Sequence, residues 1–289
     1  MTQTNSHNAS RPEWLKVRVC GSPEYLEVQS LLKQHDLHTV CQEANCPNRA
    51  ECFSKGTATF LIMGPNCTRN CRFCNVAHGA TAEPDAAEPA HIARTVALLG
   101  IKHAVITSVT RDDLPDGGAG HFVRVVKAIR GLERGVTVEV LTPDFQGDPE
   151  ALRKVLAVAP EVFNHNVETV PRLYPKVRPA ANYRRSLKIL GMAADHGDLL
   201  VKSGIMVGLG ESAEELRLVF RDLKVSGVTL LTVGQYLPPS ARHYPVARYY
   251  HPDEFNLLAR QAREAGIPRV LAGPLVRSSY HAEEQYHPA

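Results

Sequence analysis

The sequence has no apolar run approaching the length of a membrane-spanning helix, so it does not read as an integral membrane protein. Nothing like a secretory signal opens it, which counts against an oxidising compartment and a disulfide framework. Its net charge of +3 is too small to argue for nucleic acid. No coiled-coil repeat is visible, and the chain leans to a monomer. No G-x-G-x-x-G follows the first strand-like run, so the dinucleotide-binding form of a doubly wound sheet is disfavoured. What the sequence does have is cysteine in groups. Of seven cysteines in 289 residues, six fall into two triplets.

The first triplet to carry an argument is Cys67-Thr68-Arg69-Asn70-Cys71-Arg72-Phe73-Cys74, a C-x3-C-x2-C. It follows the apolar run Ala58–Met63 and the breaker Gly64-Pro65-Asn66, so it reads as a loop leaving the end of a strand. Three thiolates with no fourth Cys or His at close spacing suit a metal centre that keeps one position open for chemistry, because closed structural zinc sites recruit four ligands. Fifteen residues upstream, Cys41, Cys46 and Cys52 form a C-x4-C-x5-C. A zinc loop or buried structural thiols would account for either triplet alone; two triplets in one chain read as two metal clusters. Cys20 stands apart as a spectator thiol. Thiols kept reduced place the chain in the cytoplasm.

Residues 1 to about 11 are polar and aperiodic, as in a disordered tail. A helix is predicted over Glu24–His35. Asn45, Pro47 and Asn48 break the Cys41–Cys52 stretch into turns. From Thr57 a strand, turn and helix rhythm repeats six times. The strands are Thr57–Met63, His103–Val109, Thr137–Leu141, Val162–Val167, Leu200–Val207 and Leu230–Tyr236. Helices follow at Glu88–Leu99, Gly120–Glu133, Pro149–Val158, Asn182–Ala194, Ser212–Val225 and Pro252–Ala265. Alternation of this kind means an α/β fold with parallel strands and right-handed crossovers. Six equal units fit a partial (β/α)6 TIM-like barrel, whose chemistry sits in loops after the carboxyl ends of the strands. Polar residues do gather there: Thr107–Gly118, Asn164–Thr169, Lys202–Glu211 and Gly234–Tyr236. Singly, each is as well explained by a structural hydrogen bond; Asp112, for one, could cap the following helix. Ile267–Val276 is a short apolar segment leading to Arg277-Ser278-Ser279-Tyr280.

C-x3-C-x2-C with an aromatic before the third Cys is the signature of the radical S-adenosylmethionine superfamily, and the sequence resembles the lipoyl synthases within it over nearly the whole chain. The resemblance rests on Cys41–Cys52, Cys67–Cys74, Thr107–Gly118, Phe163–Thr169, Lys202–Glu211, Gln235–Pro239 and Arg277–Tyr280. It implies three parts: residues 1–56 as an extension with an auxiliary cluster, 57–266 as the barrel, and 267–289 as a segment closing on that cluster. It implies two [4Fe-4S] clusters and S-adenosylmethionine. Cys67, Cys71 and Cys74 would hold the radical-generating cluster. Cys41, Cys46 and Cys52 would hold the auxiliary cluster, with Ser279 as its fourth ligand and Ser278 as the fallback.

The reaction implied is insertion of two sulfur atoms at C6 and C8 of an octanoyl chain on a carrier lysine, the auxiliary cluster being sulfur donor and substrate. Reductive cleavage of S-adenosylmethionine gives a 5′-deoxyadenosyl radical, which removes hydrogen from C–H bonds that no general base can activate. By the same resemblance Gly204, Met206, Gly208 and Glu211 lie where relatives approach adenine. Thr107, Ser108 and Asp112 fall where they bind the methionyl amine, and Glu168 and Lys202 are candidates for the ribose and carboxylate. Phe73 is grouped with these contacts.

Partners implied are an octanoylated carrier (the E2 lipoyl domain of a 2-oxoacid dehydrogenase, or the glycine cleavage H protein), a reductant such as ferredoxin or flavodoxin, and a cluster-rebuilding protein. No nucleic acid and no membrane are expected. Two rival readings remain at this stage. One is a biotin-synthase-like or tRNA-methylthiolating enzyme; biotin synthases lack the N-terminal C-x4-C-x5-C, and the tRNA enzymes carry a basic RNA-binding domain. The other is a zinc-dependent binding module using Arg69, Arg72, Arg178, Arg184 and Arg185 on phosphates.

Overall fold

A computed structural model describes residues 11–17 and 21–286. The expectations for residues 1–10 and for Cys20 lie outside them. Ser22 accepts a hydrogen bond from Tyr25 N and, with Pro23 in the first turn, starts α1 (Pro23–Gln34). A two-residue strand β1 (His38–Thr39) then leads directly into α2 (Val40–Glu43), capped by the Thr39 hydroxyl. α3 (Arg49–Ser54) follows. The Cys41–Cys52 stretch therefore folds as two short helices joined by a turn at Asn45, which sits at φ +49°.

The strand and helix rhythm is realised as β2 (Thr59–Ile62), α4 (Glu88–Leu98), β3 (His103–Ser108), α5 (Ala119–Arg130), β4 (Thr137–Leu141) and α6 (Pro149–Leu156). It continues through β5 (Val162–Asn164), a short α7 (Tyr174–Val177), α8 (Tyr183–Ala194), β6 (Leu200–Val207), α9 (Ala213–Val225), β7 (Leu230–Gln235) and α10 (Pro252–Glu264). The apolar segment after Ile267 forms an eighth strand, β8 (Arg269–Gly273), parallel to β7, and the chain ends in α11 (Ala282–Tyr286). Neither β1 nor β8 was visible as a strand in the sequence. β1 is too short to show a period, and β8 is identified by the partner it finds.

All eight strands join one sheet in sequential order; β1 is antiparallel to β2 and every later pair is parallel. A doubly wound sheet reverses its order at a switch point, and this one does not. It is the partial barrel expected from the sequence. One face of the strands carries Phe60, Ile62, Ile106, Val138, Val140, Phe163, Val207 and Val233, all fully buried against the helical layer. The residues between them point inward, as the two-residue period of a strand requires: Thr59, Thr107, Glu139, Asn164, Lys202 and Thr232, none more than 6% exposed.

This polar interior explains Lys202. Its ammonium is completely buried and donates to both oxygens of Glu139, at 3.0 and 2.9 Å, and Asn164 Nδ2 donates to the same carboxylate. Burial works to neutralise both partners, and the pairing holds the Glu139 carboxyl below its ordinary range. Lys202 is thus a floor residue, fixed below the strand ends. Lys202→Ala, by stranding a buried carboxylate, is expected to destabilise the fold by about 3–5 kcal/mol in urea unfolding. The double change Lys202→Met with Glu139→Leu should recover most of that loss; if it does not, the pair is not what Lys202 is there for.

Candidate radical and cluster site

The β2–α4 connection carries Cys67, Cys71 and Cys74 and is stitched to its neighbours through its backbone. Thr68 N donates to Thr110 O at 3.0 Å, Arg72 N to Val177 O at 2.8 Å, and Tyr244 N to Arg72 O at 2.8 Å. Cys67 Sγ accepts from Arg69 N at 3.4 Å and from Thr110 N at 3.2 Å. Between the first two cysteines, the buried Arg69 guanidinium bonds Asp112 twice, at 2.6 and 2.8 Å, and Asp144 once, at 2.7 Å. Burial alone would raise the Asp144 carboxyl; the bonds and charge of Arg69 more than reverse this and hold it low. Asp112 therefore anchors the cysteine loop and does not cap the next helix, whose N-cap is Gly118.

The second triplet reaches the same place from the other side. β1 pairs with β2 through His38–Leu61 and Thr39–Phe60, which sets Cys41 beside the barrel mouth. Asn75 Nδ2 donates to Glu43 O at 2.9 Å, tying the two cysteine segments together. From the far end of the chain, Val276 crosses β7 at Gly234. A Cβ on Gly234 would lie 2.0 Å from Val276 O, so only glycine allows this crossing. Asn48 Nδ2 then holds Leu275 O at 2.7 Å.

These elements enclose a cavity of about 560 Å³. All six cysteines line it, with Phe73, Thr107, Ser108, Glu168, Gly204, Met206, Ser278 and Ser279. Lys202, Asp112, Gly208 and Glu211 are not among its lining residues. Gly208 N and Leu209 N donate to the Glu211 carboxylate at 2.7 and 2.9 Å, and Tyr250 Oη donates to it at 2.8 Å, so these residues shape the loop after β6. Of the two serines, Ser278 already accepts from Asn166 Nδ2 at 2.8 Å. The arginines read as phosphate contacts do not form one basic face: Arg69 is 7% exposed, and Arg178 is directed inward to Asn166 O and Val167 O.

The walls fit a large polar guest. Ser108 Oγ, Thr142 Oγ1, Asn166 Oδ1 and Arg178 Nε are buried without a hydrogen-bond partner, and all four residues line this cavity. Among the described residues no three of His, Cys, Asp or Glu converge closely enough to hold one metal ion. The thiols therefore are not gathered around a single ion, and thiolates are the donors that hold iron–sulfur clusters. Burial pushes Cys41 up to about 11 and Cys52 and Cys74 up to about 12, so each thiolate would need a compensating positive charge. The histidine on the wall is no general base. Burial drives His165 down to about 4, and its ring is fixed between Thr142 O and Ser186 Oγ.

Sequence reasoning missed Asn166 and Asp144 as site residues, and gave Arg69 and Arg178 only as phosphate contacts. Arg69 lay inside the motif and Asn166 inside a strand end already singled out. Arg178, from the loop after α7, carried no local signal at all.

The Radical SAM superfamily pattern matches residues 61–223. Solved structures agree on the fold. The superposition on Streptococcus suis SuiB bound to S-adenosylmethionine has a TM-score of 0.56 at 12% identity, covering 75% of this chain and 51% of that one. On methylornithine synthase the TM-score is 0.54 at 16% identity, covering 86% and 74%. The chain is a radical S-adenosylmethionine protein, a class that binds a [4Fe-4S] cluster and S-adenosylmethionine. It is 53% identical over 275 residues to the lipoyl synthase of Alkaliphilus metalliredigens, covering 95% of each chain. It is 51% identical over 282 residues to that of Burkholderia pseudomallei, covering 96% of this chain and 86% of that one. Within the class, the chain belongs to the lipoyl synthase family.

Removing the Arg69 guanidinium strands two acids, one of them fully buried. Arg69→Ala should cost about 3–5 kcal/mol in chemical denaturation of the cluster-free chain, and Arg69→Lys, which loses the bidentate geometry, should recover only part of it. Unchanged stability in Arg69→Ala would show that the loop is held by its backbone bonds alone.

Proposed function

We propose that the chain inserts two sulfur atoms, at C6 and C8, into an octanoyl group amide-linked to a lysine of a carrier protein, with the cluster at Cys41, Cys46 and Cys52 as sulfur-donating substrate. The observation that carries this is the meeting of two separate thiol triplets in one cavity. A single triplet would serve a generic radical enzyme; the second supplies sulfur within reach of the same guest.

When bound, the first cluster and S-adenosylmethionine supply the electron and the carbon-centred oxidant that an unactivated C–H bond needs. Cys67, Cys71 and Cys74 would hold that cluster by three thiolates, a set that leaves a position open for S-adenosylmethionine. Arg178, a buried cation with an unpartnered Nε, suits the carboxylate, for which the resemblance had offered the cation of Lys202. Burial pushes the Glu168 carboxyl up, so it needs a hydrogen-bonding guest such as the ribose hydroxyls. Thr107, Ser108, Gly204 and Met206 remain candidates for the rest of the nucleoside and amino acid, with Phe73 packed beside the cysteines. Gly208, Glu211 and Asp112 act by shaping the loops. The engagement of Ser278 with Asn166 supports Ser279 as the fourth ligand of the second cluster. An alkoxide oxygen is a poorer iron ligand than thiolate, so it can leave as the cluster is consumed.

On this reading residues 1–56 bear the sacrificial cluster, 57–266 generate the radical, and 267–289 close the second site. A lipoyl synthase needs an octanoylated protein substrate and a reductant. The E2 lipoyl domain of a 2-oxoacid dehydrogenase or the glycine cleavage H protein fits the first role, and ferredoxin or flavodoxin the second. A further protein must rebuild the spent cluster. No helix among the described residues is long and apolar enough to cross a membrane, and thiolate-held clusters suit the reducing cytoplasm.

The test separates the two triplets. Any of Cys67, Cys71 or Cys74 changed to Ala should abolish release of 5′-deoxyadenosine. Cys46→Ala should retain it while an octanoylated carrier peptide gains no sulfur by mass spectrometry; lipoyl product from that variant would sink the scheme. Ser279→Cys should keep the second cluster yet impair insertion, and Ser279→Ala should leave it labile. Without added sulfide or a cluster carrier, each chain should make about one product, far below the ordinary turnover range.

A further inference from the structure

The geometry points to Glu51 as the positioning residue that holds Ser279 over the second thiol triplet. The inference rests on the reading of Cys41, Cys46, Cys52 and Ser279 as one cluster site, and it concerns how that site stays closed. Ser279 belongs to the last twenty residues of the chain, while the three cysteines lie in the first sixty. No strand pairing covers Arg277–His281, so something else must hold this segment in place.

Glu51 is the residue before Cys52, on α3. Tyr280 Oη, from the residue after Ser279, donates to both of its oxygens, at 3.3 and 3.1 Å. His281 Nε2 lies 3.0 Å from its Oε1, and Lys55 Nζ donates to the same oxygen at 3.0 Å. One carboxylate thus takes up two consecutive side chains of the far segment. The segment answers with bonds of its own. His281 Nδ1 lies 2.6 Å from Glu284 Oε1, and Gln285 Nε2 donates to Tyr280 O at 2.5 Å, bracing the turn onto α11. His281 itself sits at φ +53°, a conformation that a residue with a side chain keeps only when its surroundings hold it.

The placement makes this a ligand clamp rather than a surface ion pair. Glu51 precedes a cluster thiol by one residue, and Tyr280 follows the alkoxide ligand by one residue. The two ends of the second site are therefore joined through a single carboxylate, outside the cavity, with side chains 43% (Glu51) and 22% (His281) exposed. Asn48 on Leu275 O and Asn166 on Ser278 Oγ fix the entry to this segment. Beyond Ser279, the Glu51 contacts tie it to the cysteine-bearing helix, and Lys55 at the end of that helix adds one longer contact, Nζ to His281 Nε2 at 3.4 Å. A weak oxygen ligand stays on iron only if its chain is held there, and an exposed clamp can open when the cluster has to be replaced.

The test uses the full chain with both clusters reconstituted anaerobically, and reads loss of visible absorbance and of iron to a chelator. Glu51→Ala is expected to lose about half its iron, that of one cluster in two. The loss should run roughly tenfold faster than in the unaltered chain, the scale of one or two charge-assisted hydrogen bonds removed. The other half, and 5′-deoxyadenosine release from the first cluster, should be unaffected. Glu51→Gln keeps an acceptor for Tyr280 and should fall between. Tyr280→Phe combined with His281→Gln removes the same contacts from the other side and should reproduce Glu51→Ala, which guards against a folding defect in either variant. Unchanged iron loss in both, or equal acceleration from both clusters, overturns the clamp. A Cys46→Ala chain measured in parallel keeps the failures apart. If it holds full iron, the two-cluster reading falls and the clamp with it; if it holds half while Glu51→Ala matches the unaltered chain, the clamp alone is wrong.

Discussion

The Arg69 guanidinium, bonded twice to Asp112 and once to Asp144, joins the loops after β2, β3 and β4 at one buried point. The cysteine loop has no regular secondary structure of its own. Its geometry depends on this junction, on the Thr68–Thr110 backbone bond, and on the two N–H groups directed at Cys67 Sγ. A buried cation with two carboxylates is stable only while all three are present, so the interaction gives the loop one conformation where backbone alone would allow several. The floor pair Lys202–Glu139 does the same for the barrel interior one layer below.

Above these two layers the chain leaves polar groups without partners. Ser108, Thr142, Asn166 and Arg178 each bring an unsatisfied atom to the cavity wall, and six thiols face the same space. Such a surface is costly for an empty protein and suits one that works with its guests bound. The one histidine on the wall is neutral and held at both ring nitrogens. Chemistry at an unactivated carbon is left to the bound groups, and the protein's work is to hold, shield and orient them.

Much of the fold was legible because its strands are short and buried and its helices are amphipathic. β4 and β6 fall where the pattern put them, at Thr137–Leu141 and Leu200–Val207. β5 stops at Asn164 instead of Val167, because the ladder to β6 is interrupted at Asn166 and Val167 and resumes only as a single bridge from Glu168, at φ +63°, to Ile205. β1 and β8 escaped notice for one reason: neither has a period of its own, and each becomes a strand only beside a partner strand.

The sequence by itself determined the barrel and the family, since thiol spacing and hydrophobic period are local properties of the chain. It also indicated which strand ends carry polar side chains. Only the tertiary structure decided where each of those side chains goes. Lys202 and Gly204 lie two residues apart on one strand and face the same interior, yet one is spent on Glu139 below and the other lines the cavity. Arg178 carried no motif, yet it lines the cavity with an unpartnered Nε. Ser278 and Ser279 are identical as letters, and a single hydrogen bond from Asn166 distinguishes them. That bond, like the crossing at Gly234 and the reach of Tyr280 to Glu51, joins residues more than forty positions apart. Contacts of that range are set by how the elements pack, and no local pattern in the chain encodes them.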